Sequence, residues 1–489
     1  MKTKYFDLID QTYEFPQEEF SLKNDELQFH GIDLMGLVAQ YGAPLKFTYL
    51  PKISDNINRA KDWFAAAIKE HDYKGSYNYC YCTKSSHFKH VLDTALKNDI
   101  HMETSSAFDI DIIENLKAQG KITDDTYVIS NGFKRDQYVT NIARLINNGH
   151  RNAIPVLDNY EELRLLDAAI DGEFNVGIRI ASEEEPKFEF YTSRLGIGYK
   201  NIVPFYNTNI KDHPKVNLKM LHFFINTGIR DTAYYWNELA KCLKVYVNLK
   251  KICPTLDSLN IGGGFPIKNS LVFDYDYAYM ISEIVRQIKL MCDENEVDVP
   301  NIFTEFGSFT VGESGGAIYE ILYQKQQNDR EKWNMINSSF ITTMPDTWAI
   351  NKRFVMLALN RWQDEYERVL LGGLTCDSDD YYNSEQNMNA IYLPEYKKNK
   401  PLYIGFFNTG AYQETIGGFG GLQHCLIPSP KHILIDRDDE GNLTTSVFAQ
   451  QQTSADLLNI LGYDTEVNAA FAKAHEEKIK TKKESVDSL

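Results

Sequence analysis

The sequence predicts a (β/α)8 TIM barrel followed by a mainly β, barrel- or sandwich-like C-terminal domain that also takes N-terminal residues. Three observations carry this reading. Eight short apolar strand candidates fall between residues 77 and 306. Most are separated by helical patterns, which implies parallel strands, and eight in about 230 residues suit a closed barrel. After residue 310 the helical periodicity thins, and short β-rich segments with Gly, Pro and aromatic clusters take over. A doubly wound open sheet is the alternative for the first part.

The elements follow in order. Residues 1–45 include a hairpin-like piece and a short helix in DELQFHGIDLMGLVAQYG, expected to pack with the β domain. The barrel is expected over 46–310. It opens with KISDNINRAKDWFAAAIKE, which places Ile53, Ile57, Ala60, Phe64 and Ala67 on one helical face. The strand YNYCY follows, and Lys84 stands where it should stop. Ser85 and Ser86 read as the cap of the helix SSHFKHVLDTALKN, with Phe88, Val91, Leu92, Ala95 and Leu96 along one side. The strands IHME, TYVIS and AIPVL alternate with the helices SAFDIDIIENLKAQG, RDQYVTNIARLINNG and NYEELRLLDAAI. FNVGIRI, LKMLHFF, LDSLNI and NIFTEF complete the eight strands, with helices over 233–251 and 274–292. Residues 311–489 are expected to form the β domain, with strands in RFVMLALN, RVLLGGLTCD, PLYIGFF and HILID. The end, AKAHEEKIKTKKESVDSL, reads as a charged tail that frays.

Composition bounds the function. The chain has 489 residues, 43% hydrophobic and 24% charged, an ordinary globular balance with room for two domains. No run approaches the roughly 18 apolar residues of a membrane span. The stretch MKTKYFDLIDQTYEFPQEEF is acidic and amphipathic, without the apolar core of a secretory signal. A net charge of −17 argues against a nucleic-acid partner and is compatible with a cationic small substrate. Seven scattered cysteines form no CxxC unit, so reduced thiols in a cytoplasmic protein are expected. No metal enters the expected site.

Active sites of such barrels form at the C-terminal ends of the strands. Lys84 follows the first strand, Glu103 ends the second, Arg179 lies late in the fifth, and His222, Phe223 and Phe224 end the sixth. Gly262, Gly263 and Gly264 follow the seventh, and Glu305 ends the eighth. A lysine in such a mouth is partly desolvated and nucleophilic, although an exposed loop lysine is the plain alternative. The glycine turn IGGGFP offers bare backbone N–H groups to a phosphate, or merely a tight turn. A lysine, a phosphate nest, a ring-stacking aromatic and a carboxylate for a ring nitrogen are together what pyridoxal phosphate requires.

These residues resemble the motifs of the barrel-type pyridoxal-phosphate decarboxylases, which share a fold with alanine racemase. The resemblance runs over residues 40 to 425 and is greatest to the biosynthetic arginine decarboxylase branch. In YCTKSS, Lys84 matches the lysine that carries the cofactor. METSS resembles the second-strand motif, with Glu103 in the acidic place and Ser106 closing it. GIRI brings Arg179 near the cofactor, and SRLGI resembles the connection between the fifth and sixth strands. NIGGGFP matches the phosphate loop, Gly262 to Gly264. TEFGS matches the motif whose glutamate, here Glu305, binds the pyridine nitrogen, with Gly307 beside it. CDSDD resembles the segment that enters the partner subunit's site, and GAY supplies Tyr412 to the phosphate. Three departures stand out. The family's sixth strand ends in His-x-Gly-Ser, whereas LHFFINTG puts Phe224 in the stacking place and Thr227 in the serine's, with His222 the rival if the register slips by two. Ser308 replaces a customary arginine. The chain also lacks inserted segments common in biosynthetic arginine decarboxylases.

The resemblance implies decarboxylation of an amino acid, with Cys376 returning a proton to the α-carbon. The racemase branch sets an arginine against the ring nitrogen, so Glu305 favours decarboxylation over racemisation. Decarboxylases of diaminopimelate use the arginine missing at Ser308. Asp377 and Asp379 beside Cys376 suit a cationic side chain, a guanidinium best. Arginine, yielding agmatine for polyamine biosynthesis, is the expected substrate; ornithine, diaminopimelate and carboxynorspermidine are alternatives. A catalytically inactive regulatory protein of the same fold is a further one. A homodimer with composite sites is expected, with a larger assembly left open.

Overall fold

The computed structural model describes residues 19–183, 193–271, 273–382 and 391–463. The acidic stretch before residue 19 and the charged tail lie outside these residues. The chain divides into two compact units, one over residues 50–267 and 274–313, the other drawn from residues 1–49, 268–273 and 314–489.

In the first unit eight parallel strands close on themselves: β1 (Tyr77–Cys82), β2 (His101–Thr104), β3 (Val128–Ser130), β4 (Ala153–Leu157), β5 (Phe174–Ala181), β6 (Val216–His222), β7 (Ser258–Asn260) and β8 (Asn301–Phe306). β8 pairs with β1, Glu305 opposite Cys80, which closes the barrel and rules out the open sheet. The helices are α1 (Pro51–Glu70), α2 (Lys89–Ala95), α3 (Ala107–Ala118), α4 (Asp136–Asn147), α5 (Tyr160–Ala169), α6 (Tyr199–Asn209), α7 (Ala233–Lys250) and α8 (Tyr277–Glu294). On α1, Ile53, Ile57, Ala60, Phe64 and Ala67 are buried, as their spacing predicts. Phe64 stacks on Tyr77 of β1 and Trp63 on Tyr277 of α8. Each fully buried side chain of this size contributes about 1.5–3 kcal/mol.

The barrel interior is filled by Cys80, Ile129, Ile154, Val156, Met220 and Phe303. Successive side chains on a strand point to opposite faces. On three strands the inward row therefore runs from an apolar filler to a polar residue two places later, and on β1 it continues one step further. Cys80 leads through Cys82 towards Lys84, Ile129 to Asn131, Met220 to His222, and Phe303 to Glu305. This two-residue step is what puts chemistry at the mouth.

Two expectations need correction. Ser85 and Ser86 do not cap the next helix. Residues Thr83–Ser85 form a 3-10 turn, and Ser85 Oγ donates back to the Cys82 carbonyl at 2.8 Å. The helix starts at Lys89. The sixth strand ends at His222, so Phe223 and Phe224 lie beyond it.

The second unit is mainly β. The strand Leu45–Tyr49 runs antiparallel to Gly315–Gln326 and parallel to Lys431–Arg437, so the chain leaves this sheet only after Tyr49. The hairpin Phe20–Lys23/Glu26–Phe29 and the helix Leu34–Tyr41 belong to the same unit. Their apolar residues pack with Phe47, Trp362 and Phe407. No helix among the described residues is long and apolar enough to cross a membrane.

Candidate active site

The C-terminal mouth of the barrel holds a cavity of about 420 Å³. Five expected residues share its wall: Lys84, Glu103, Arg179, Phe224 and Glu305. His222, the rival for the ring-stacking role, lines it too.

Its floor is a pair of buried carboxylates. Lys84 Nζ donates to Glu103 Oε2 at 2.8 Å; the lysine side chain is 41% exposed and the glutamate's is fully buried. Glu305 is held from three sides. Asn260 Nδ2 and Asn131 Nδ2 donate to Oε1 at 2.6 and 2.8 Å, and His222 Nε2 lies 3.0 Å from Oε2. Asn131 Nδ2 also donates to Glu103 Oε1 at 3.0 Å, so one amide bridges both acids.

These environments push the two acids apart. Burial raises the Glu103 carboxyl, and the neighbouring Glu305 adds to the rise against the pull of Lys84. Burial opposes charge on Glu305 as well, but His222, Lys84 and Asn131 outweigh it and hold that carboxyl at about 2. Its surroundings thus favour the charged form of Glu305 where it faces the cavity. Two like groups with divided proton affinities are the usual mark of a working site. Arg179 faces Phe224, its guanidinium carbon 5.6 Å from the ring centroid, and burial lowers its proton affinity.

Other expected residues sit close behind this wall. Ser105, not Ser106, lines the cavity; Ser106 precedes α3, and its N–H donates to Asp109. Thr227 lies in the turn after β6, half-buried. That turn backs onto the glycine run: Ile229 N donates to Gly264 O at 2.9 Å, and a Cβ on Gly228 would come 2.4 Å from the same oxygen. A Cβ on Gly263 would come 2.1 Å from the Glu305 carbonyl. The glycine loop thus stands within backbone contact of the acid's own strand. Gly307 packs against Ser85, beside Lys84.

Four expected residues belong to the β unit. Cys376, Asp377 and Asp379 are exposed on the loop after the strand Tyr366–Gly372, and Tyr412 precedes the short helix Gln413–Ile416. The neighbouring Asp380 is instead a buried structural acid, accepting from Phe340 N and Thr375 Oγ1 at 2.8 Å each.

Sequence reasoning passed over Asn131 and Asn260. The signal was present: Asn131 stands two places beyond the interior residue Ile129, and Asn260 ends β7 opposite His222. Cys82, Glu103 and Glu305 also place ligating atoms within 4.8 Å of one another. Cys82 Sγ, however, hydrogen-bonds the Glu305 carbonyl, and burial raises its thiol well above the usual range.

A lysine and a buried carboxylate facing one cavity at a barrel mouth suit a ligand with an aldehyde and a cationic ring nitrogen. Residues 54–312 match the model of the pyridoxal-binding domain of the pyridoxal-dependent decarboxylases. The chain belongs to that family. Among its relatives is the biosynthetic arginine decarboxylase of Prochlorococcus marinus (strain MIT 9215), 22% identical over 570 aligned residues that cover 89% of this chain and 85% of the relative. Among solved structures, the biosynthetic arginine decarboxylase of Campylobacter jejuni superposes with a TM-score of 0.77 at 20% identity, covering 95% of this chain and 92% of that one. A diaminopimelate decarboxylase from M. jannaschii in complex with L-lysine gives 0.74 at 17%, covering 90% and 97%.

The residues present suit pyridoxal phosphate. Lys84 offers the amine and Glu305 the anion. Two buried polar atoms in the cavity wall, Asn131 Oδ1 and His222 Nδ1, have no hydrogen-bond partner among the described residues. Such orphans are costly unless a ligand or water meets them.

Proposed function

We propose that the protein decarboxylates L-arginine to agmatine and carbon dioxide, a step of polyamine biosynthesis. The observation that carries the chemistry is the anionic Glu305, fixed by His222, Asn131 and Asn260 in the cavity that Lys84 enters. Bound pyridoxal phosphate supplies an electron sink for the pair left behind when the substrate's α-carboxylate departs. Lys84 would hold the cofactor covalently through its amine. Glu305 keeps negative charge at the ring nitrogen, so that the nitrogen keeps its proton. Phe224 gives the ring a flat apolar face. Glu103 and Arg179 border the cofactor. Thr227, Gly262 to Gly264 and Gly307 hold its phosphate side. Cys376 delivers a proton to the α-carbon.

The substrate reading leans on the arginine decarboxylases among the relatives and on the exposed acids Asp377 and Asp379 beside Cys376. Paired carboxylates suit a guanidinium, which they bind through parallel hydrogen bonds. The protein acts as a homodimer, each site taking Cys376 from the other chain. A small polar substrate and seven free thiols suit the cytoplasm.

The test is a panel of arginine, ornithine, lysine, diaminopimelate and carboxynorspermidine, scored by carbon dioxide release. Arginine should give the highest kcat/KM. Asp377→Ala should raise its KM steeply, with Asp379→Ala doing the same if both acids meet the guanidinium. Preference for another amino acid, or normal arginine binding by both variants, overturns the substrate assignment.

A further inference from the structure

Two loops of the β unit meet at their thiols. Cys376 lies on the loop after the strand Tyr366–Gly372, and Cys425 on the short turn His424–Leu426. Their Sγ atoms are 3.6 Å apart, and both residues are exposed. A second contact joins the same loops: His424 Nε2 lies 3.3 Å from Asp377 Oδ2. Two adjacent residues on one loop therefore face two adjacent residues on the other, sulfur to sulfur and imidazole to carboxylate.

Both loops are held in this arrangement. The root of the first is fixed by buried Asp380, which accepts from Thr375 N at 3.1 Å and Ser339 Oγ at 3.1 Å, while its own carbonyl accepts from Gly373 N at 2.8 Å. On the second loop, Cys425 and Leu426 have φ values of 53° and 54°. Left-handed backbone at two successive residues that carry a Cβ is strained, and such strain persists only where the surroundings impose it. Here it sits where Cys425 approaches its neighbour. The other five cysteines are buried. Burial pushes the thiols of Cys80, Cys82, Cys242 and Cys292 up, which keeps them unreactive.

We infer that Cys376 and Cys425 are a modification site for low-molecular-weight disulfides, closing to a reversible disulfide within one chain. The sulfurs need to approach by roughly 1.6 Å to reach the bonded separation of about 2.05 Å, a movement within side-chain rotation. The chemistry balances with oxidised glutathione as the oxidant. The thiolate of one cysteine attacks a glutathione sulfur, forms a mixed disulfide and expels one glutathione thiolate. The thiolate of the second cysteine attacks the protein sulfur of that mixed disulfide and expels the other. The two thiol protons pass to the two glutathiones, so the protein pair loses two electrons and the glutathione disulfide gains them. Closure removes the thiol hydrogen of Cys376. Its effect on turnover rests on the proposed role of Cys376 as proton donor, whereas the disulfide itself does not.

The test treats full-length, cofactor-loaded protein with oxidised glutathione and reads intact mass, a peptide map and turnover. The wild type should lose two hydrogens, retain no glutathione, and yield a peptide joining Cys376 to Cys425. Turnover should fall by roughly a hundredfold and return with added thiol, since a positioned proton donor contributes at least that much. In Cys425→Ser no resolving thiol remains, so glutathione should stay attached to Cys376. Glutathione retained on wild-type Cys376, or a cross-link between two chains, overturns the inference. A mapped disulfide with unchanged turnover upholds the modification site and removes Cys376 from the proton-delivery step.

Discussion

His222 Nε2 lies 3.0 Å from Oε2 of Glu305, while Asn260, on the strand between theirs, donates to the other oxygen of the same carboxylate. With Asn131, three barrel positions converge on one carboxylate, which they hold at about 2. Glu305→Gln preserves the shape and removes the charge. Cofactor binding should change little, while decarboxylation should slow. Loss of a charge-assisted hydrogen bond costs about 1.5–3 kcal/mol, or roughly ten- to a hundredfold in rate. The measurement is kcat beside cofactor titration. Unchanged turnover would remove Glu305 from the ring nitrogen.

The same geometry separates His222 from Phe224. His222 is buried against Glu305, whereas Phe224 is half-buried and faces Arg179 across the wall. If Phe224 supplies the stacking face, Phe224→Ala should weaken cofactor affinity several-fold. A conservative His222→Gln should leave affinity closer to wild type and lower kcat through Glu305. Cofactor fluorescence titration reads the first, and kcat the second. The reverse pattern would give the ring to His222.

Lys84→Ala should abolish covalent attachment of the cofactor. Lys84 reaches the cavity from the turn after β1. Lys134 is buried against Glu162 instead. Borohydride reduction of loaded wild-type protein, followed by peptide mapping, should label Lys84 and no other lysine. A label elsewhere overturns the assignment.

The barrel was legible because its strands are short and mostly alternate with helices of clear period, although the helix Tyr199–Asn209, which carries Pro204 inside it, was not read. Lys84, Glu103 and Glu305 were legible because strand ends are where such barrels keep polar residues. Asn131 and Asn260 were not, since an asparagine at a strand end also reads as turn chemistry. Only closure of the barrel turns both side chains onto Glu305. Ser85 and Ser86 misled for a related reason. Serines before a helix read as caps, but here the tight turn that positions Lys84 uses Ser85 first. The contact between Cys376 and Cys425 joins residues 49 positions apart on loops, beyond the reach of any periodicity.

Acid should weaken the β unit through His432. Its ring is buried, Nε2 2.9 Å from Thr48 Oγ1, and burial lowers its pKa from 6.5 to about 4. The folded state therefore favours the neutral ring. That contribution is fully present above pH 6.5 and is lost as pH falls through about 4. A shift of this size corresponds to about 3 kcal/mol. The melting temperature should fall across this window, and His432→Asn should make the slope shallower. His101 in the barrel, also lowered to about 4, adds slope of the same sign, so the variant's curve stays above flat. An unchanged slope in His432→Asn would show that this ring is not the titrating group.

The last prediction concerns the proposed composite site. Lys84 lies in the barrel unit and Cys376 in the β unit. If the cysteine serves the other chain of a two-fold dimer, Lys84→Ala and Cys376→Ala homodimers should each be crippled. After mixing and subunit exchange about half of the dimers are mixed, and in each of these one site joins an intact lysine to an intact cysteine, while the other lacks both. Recovered activity should approach roughly a quarter of wild type, from the symmetry of an isologous interface. Exchange is followed independently with a tagged chain. Exchange without recovery would mean that Cys376 serves its own chain's site or serves none. The Glu305→Gln and Lys84→Ala results would stand, since both residues lie within one barrel.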